Sequence, residues 1–94
     1  MSAQDIETLP SGALNPVIDT RMDLLPPRAL LAAARALKGG MKYDKRPENW
    51  RGVPACEHLN HALRHIMLHQ AHDDGEDHIG HTVSRILMWA ELSL

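Results

Sequence analysis

The sequence predicts an all-α fold: a compact three-helix domain behind an irregular N-terminal arm, assembled as a homo-oligomer. Three observations predict it. The run "PPRALLAAARALKGG" is dense in strong helix formers and is bounded by proline and glycine. Apolar residues recur at three- and four-residue spacing in two later segments. The chain holds two Trp, one Tyr and no Phe, so a hydrophobic share of 44% rests on residues that suit helices better than strands.

Residues 1–22 carry Pro10, Gly12 and Pro16 without periodicity and read as the arm. Residues 23–94 read as one helical domain. A chain of 94 residues builds a marginal core, so partner subunits are expected to cover part of its apolar surface.

The first helix follows Pro26 and Pro27, where a missing N–H does no harm. Gly39-Gly40 is its stop. Leu30, Ala33 and Leu37 share its expected core face, with Arg28 and Arg35 pointing away. The stretch "MKYDKRPENWRGVP" is kept irregular by Pro47, Gly52 and Pro54. It sets Lys42, Lys45, Arg46 and Arg51 against Asp44 and Glu48, and holds Tyr43 and Trp50.

The second helix is expected over 55–72, with Leu59, Leu63, Ile66 and Met67 as its apolar stripe and Gly75 as the cap beyond it. His58, His61, His65, His69 and His72 project beside that stripe within an arc of about 80°. The third helix is expected over 77–92, with Glu76 and Asp77 at its positive end. Its core stripe is Ile79, Val83, Ile86, Leu87 and Ala90, flanked by His78, His81 and Arg85.

Composition narrows the function. A net charge of −2 argues against tight binding of long nucleic acid but allows a small phosphorylated ligand in a local positive pocket. A single cysteine, Cys56, excludes an internal disulfide and fits a reducing compartment. There is no charged-then-apolar leader and no membrane-length apolar run, so a soluble cytoplasmic protein with no membrane partner is expected.

Four groups carry chemistry. Imidazoles one helical turn apart can share a metal ion, and Glu76 and Asp77 nearby allow a mixed nitrogen and oxygen site; the alternative is a polar stripe at the core boundary. Tyr43 and Trp50 can stack on a base while Lys42 or Arg51 pairs with phosphate; alternatively the two rings plug the end of the core. Glu76-Asp77 can hold Mg²⁺ or Mn²⁺ on a phosphate, or serve only the helix dipole. Arg64, His65, His78, His81 and Arg85 form a positive cluster that an anionic ligand, or a structural network with Glu57 and Asp73, would relieve.

Five stretches in order, "RMDLLPPRALLAAARAL", "GGMKYDKRPENWRG", "HALRHIMLH", "GED" and "HIGH", are similar to small phage and prophage helical domains of the dATP/dGTP diphosphohydrolase N-terminal type. The resemblance covers roughly residues 20–92. It implies an α-helical nucleotide-handling domain, located in the host cytoplasm if phage-encoded, and singles out Lys42, Tyr43, Asn49, Trp50, Arg64, His65, Glu76, Asp77, His78 and His81. Three positions depart from the family pattern. Arg28 stands where an acidic residue is common, Asp77 abuts His78 without the usual acidic loop, and Arg85 replaces a frequent Asn.

Three functions follow as expectations. The first is metal-assisted hydrolysis of a deoxynucleoside triphosphate, with Glu76, Asp77 and His65 holding Mg²⁺ or Mn²⁺ and His65, Glu76, Asp77 and His81 as the catalytic set. Lys42, Tyr43, Asn49, Trp50, Arg51, Arg64, His78 and Arg85 would bind the nucleotide. The second is a non-catalytic binder that sequesters a nucleotide such as a defence signal, favoured by the two extra arginines. The third is a structural or protein-interaction module with incidental histidines.

Overall fold

The computed structural model describes residues 5–43 and 45–94; Asp44 and the first four residues of the expected arm lie outside them. Three helices pack together: α1 (Pro27–Gly40), α2 (Ala55–Gln70) and α3 (His78–Ser93). Helix α3 packs against both others, and the four buried polar residues among the described residues lie on α2 or α3. Among the described residues no helix is long and apolar enough to cross a membrane.

The arm is not irregular. Strands β1 (Ile6–Thr8) and β2 (Leu14–Pro16) form an antiparallel hairpin, with Ile6 opposite Pro16 and Thr8 opposite Leu14. Gly12 takes φ +87° in the turn, and its N–H donates to the Leu9 carbonyl at 2.8 Å. That is the left-handed glycine of a three-residue hairpin loop. Asn15 donates across the strands to Glu7 at 2.8 Å. Three-residue strands are too short for alternation to register, so only "PSG" marked the turn.

Helix α1 opens on Pro27 at its first position and ends at the second glycine, as its sequence dictates. Its buried residues are Ala33 and Ala36, not the expected Leu30–Ala33–Leu37 stripe; Leu30 and Leu37 are exposed.

Helix α2 ends two residues earlier than expected, and Gly75 is not its cap. His72 takes φ +64° instead. The Asp73 N–H donates to the Leu68 carbonyl at 3.0 Å and the His72 N–H to that of His69 at 3.0 Å, the paired bonds of a Schellman ending. Helix α3 starts one residue late because Asp77 is its N-cap, accepting from the Gly80 N–H at 3.0 Å.

The expected core stripes are turned outward. On α2 the buried residues are His58, Ala62 and His65, whereas Leu63, Ile66 and Met67 are exposed, Met67 at 70%. On α3 they are His78, Gly80 and Ser84, with Ile79 and Leu87 exposed and Val83, Ile86 and Ala90 between. Small residues explain this. A Cβ on Gly80 would sit 2.8 Å from the Ala32 carbonyl oxygen and closer still to the Asp77 carboxylate, so α3 meets the α1 backbone only through glycine. Ala33, Ala36, Ala62, Gly80 and Ser84 allow close helices, and imidazoles fill the remaining space. Every buried side-chain nitrogen or oxygen among the described residues has a hydrogen-bond partner.

Candidate functional site

A cleft of about 1370 Å³ opens where the loop after α1 faces the ends of α2 and α3. Most of the residues expected to bind a ligand line it: Lys42, Tyr43, Asn49, Trp50, Arg64, Glu76, Asp77, His81 and Arg85. Arg51 does not. Its guanidinium lies 4.4 Å from the Trp50 ring centroid and pairs with Glu48. Arg35, Lys38 and Arg46 line the cleft although the sequence reading passed them over; Arg35 was expected to point away. Arg46 donates to Asn49 at 3.0 Å. Tyr43 does not plug the core: it is 84% exposed, with the Lys42 ammonium 4.9 Å from its ring centroid. Trp50 is half-buried.

His58 anchors the loop to the helices. It is fully buried, and its Nε2–H donates to the Trp50 carbonyl at 2.9 Å. That leaves a lone pair on Nδ1, which accepts from Arg85 at 2.9 Å. The imidazole thus links the 3-10 turn at Asn49–Gly52 to α3, with its tautomer fixed by both neighbours. Among the described residues no carboxylate forms an ion pair with Arg85, and burial lowers its pKa. A desolvated guanidinium without a carboxylate gains most from an arriving anion.

Behind the cleft lies an imidazole chain. His65 and His78 are buried, with their Nδ1 atoms 3.0 Å apart. His78 donates from Nε2 to the Asp73 carboxylate, so its Nδ1 accepts and His65 donates. The hydrogen bond from His78 in turn lowers the Asp73 pKa. His65 stacks on His81 with ring centroids 5.0 Å apart, and His81 reaches the cleft. Burial is the main cause that lowers the His65 pKa, with His81, His78 and Arg64 adding and Glu76 opposing. His61, His69 and His72 are exposed and lie outside this chain. Arg64 and His81 thus line the cleft, and His65 stacks on His81 behind it.

The same chain can hold a cation. One ligand atom each from His65, Glu76 and His78 lies within 4.8 Å of the others. Two imidazoles and one carboxylate suit a borderline metal such as Zn²⁺ or Fe²⁺, and accept the expected Mn²⁺ more readily than Mg²⁺. Asp73 on the far nitrogen of His78 is the outer carboxylate that commonly orients a ligating imidazole. Of the expected metal set, His65 and Glu76 are in this cluster. Asp77 is not: its carboxylate caps α3, and His78 stands in its place. The spacing of His78 from His65 gave no helical signal, because a helix end and a turn separate them.

Comparison with known proteins bears on this arrangement. Searches of curated proteins and of solved structures give no match. The family described as dATP/dGTP diphosphohydrolase, N-terminal, matches residues 11–94. That span takes in β2, all three helices and every residue of the cleft and the imidazole chain. The chain belongs to the dATP/dGTP diphosphohydrolase N-terminal family.

Proposed function

We infer that the chain binds a deoxynucleoside triphosphate in the cleft and hydrolyses it to the monophosphate and diphosphate. The observation that carries this reading is the meeting of a cationic, ring-bearing cleft with the imidazole and carboxylate cluster at His81 and Glu76. The family's description names dATP and dGTP, and these are the substrates we assign.

Trp50 and Tyr43 offer faces for a purine, a sequence-tolerant contact. Lys42, Arg35 and Arg64 gather the triphosphate oxygens, and Arg85 regains through phosphate the partner that burial denies it. Water attacks the α-phosphorus, the bond to the bridging oxygen breaks, and diphosphate leaves into the cationic rim. His81 takes the proton of that water, since it faces the cleft and backs onto neutral-leaning His65. A divalent cation, Mn²⁺ or Mg²⁺, held by His65, Glu76 and His78 would supply charge neutralisation on the phosphate oxygens. For neutral His65 to ligate through Nδ1, its proton would move to Nε2; protonation of either imidazole competes with the cation, so metal uptake is coupled to pH.

One observation favours the second reading, a non-catalytic binder that sequesters a nucleotide. Arg64 lies 3.7 Å from Glu76 and competes for the only carboxylate of the cluster. Product analysis separates the two. Incubation with dATP or dGTP and Mn²⁺ is expected to yield monophosphate and diphosphate. His81→Gln is expected to cut turnover by roughly 100-fold while binding persists. Intact nucleotide recovered after heat denaturation of the wild-type complex rejects hydrolysis in favour of sequestration.

A further inference from the structure

Two apolar surfaces of this chain lack a partner. The first is the hairpin arm. Strands β1 and β2 pack on each other and on no helix, and every residue from Asp5 to Arg28 is exposed. Ile6, Leu14 and Ile18 are each at least 60% exposed. A two-stranded hairpin alone in water is marginal, so an ordered one implies a surface to lie on. The second is the outward face of α2, where Leu63 lies one turn from Ile66 and Met67 and all three are exposed.

The areas agree with a missing subunit. The chain exposes 7755 Å², against about 5400 Å² for a compact monomer of its mass. The excess, roughly 2300 Å² per chain, doubles over two copies to about 4600 Å², within the range of obligate homodimer interfaces. The radius of gyration is 18.2 Å, against about 12 Å for a compact chain of this length. A 16-residue helix spans only about 24 Å, so the molecule's 55 Å length comes from the arm.

We propose that the arm of one copy docks on the outward α2 face of a second copy, giving an exchanged-arm homo-oligomer. Docking within one chain is opposed by the joint. Leu25 and Pro26 are extended and lead into Pro27, a stiff double proline that holds the arm off its own helices. Both incomplete surfaces occur once per chain, so copies of the chain satisfy each other without surplus.

The test uses the full chain with a photo-crosslinking residue in place of Leu14, which points into solvent. Nitrogen-15-labelled and unlabelled protein are mixed and irradiated, and crosslinked peptides are identified by mass. Crosslinks from the arm of one isotope to α2 of the other are expected. Crosslinks confined to single chains, or directed to other helices, overturn the proposal. Sedimentation of Leu63→Asp and Leu14→Asp at micromolar concentration gives an independent reading. Each is expected to weaken association by roughly tenfold or more with helix content retained. A monomeric wild type, or an oligomer indifferent to both changes, also overturns it. Nucleotide turnover enters neither measurement, so this outcome and that of the hydrolysis test are separate.

Discussion

His72 closes α2 in the left-handed region, at φ +64°, a conformation that costs a side-chain-bearing residue about 1 kcal/mol. His72→Gly is therefore expected to raise stability by about 0.5–1 kcal/mol, read as a higher denaturation midpoint with unchanged slope. Two partly desolvated imidazoles set the acid limit of the fold. His65 and His61 titrate below the ordinary 6.5, in both cases mainly through desolvation. In that range the unfolded chain binds protons more readily than the folded one. Stability is then complete above 6.5 and is lost as pH falls through the lowered folded values. Asp73, held below 3.8 by the His78 hydrogen bond, adds a second loss further down. With chelator present, Tm is expected to fall as pH drops below about 6.5, and less so in His65→Gln. A Tm that rises on mild acidification contradicts this account.

The helices owe their approach to residues without bulk. Gly80→Ala places a methyl group against the Ala32 carbonyl and the Asp77 cap together. It is expected to destabilise by about 1–3 kcal/mol in thermal unfolding, whereas Gly39→Ala, facing open space, is expected to stabilise slightly. Here the limits of sequence reading are physical. Helix existence was legible from propensity, proline and glycine, and α1 falls within one residue of its expected bounds. Which face turns inward was not. Periodicity shows two stripes on α2, leucine and histidine, but not which one meets α3. The inward face of α2 carries Ala62, His58 and His65, while Gly80 lets α3 reach the α1 backbone at Ala32. For the site, charge and ring content marked Lys42, Trp50, Arg64 and Arg85 correctly as neighbours. Asp73 and His78 were harder, since the turn that joins them to His65 follows from the His72 conformation and not from a motif.

At the scale of the molecule, the leucine faces and the hairpin describe a chain whose apolar surface is largely uncovered. Among the described residues the three buried apolar side chains are all alanines. Thermal stability is therefore expected to rise with protein concentration, as it does for folding coupled to association. The cleft contrasts with these faces: it draws polar and charged groups from α1, α2, α3 and the connecting loop to one place. Binding of a phosphorylated nucleotide there is the central claim. The most direct measurement is calorimetric titration of the wild type and of Lys42→Met with a non-hydrolysable dATP analogue. Stoichiometric binding to the wild type, weakened about tenfold or more at higher salt or by loss of the exposed Lys42 charge, is the expected result. No heat of binding to the wild type, or binding indifferent to both Lys42→Met and salt, would contradict it.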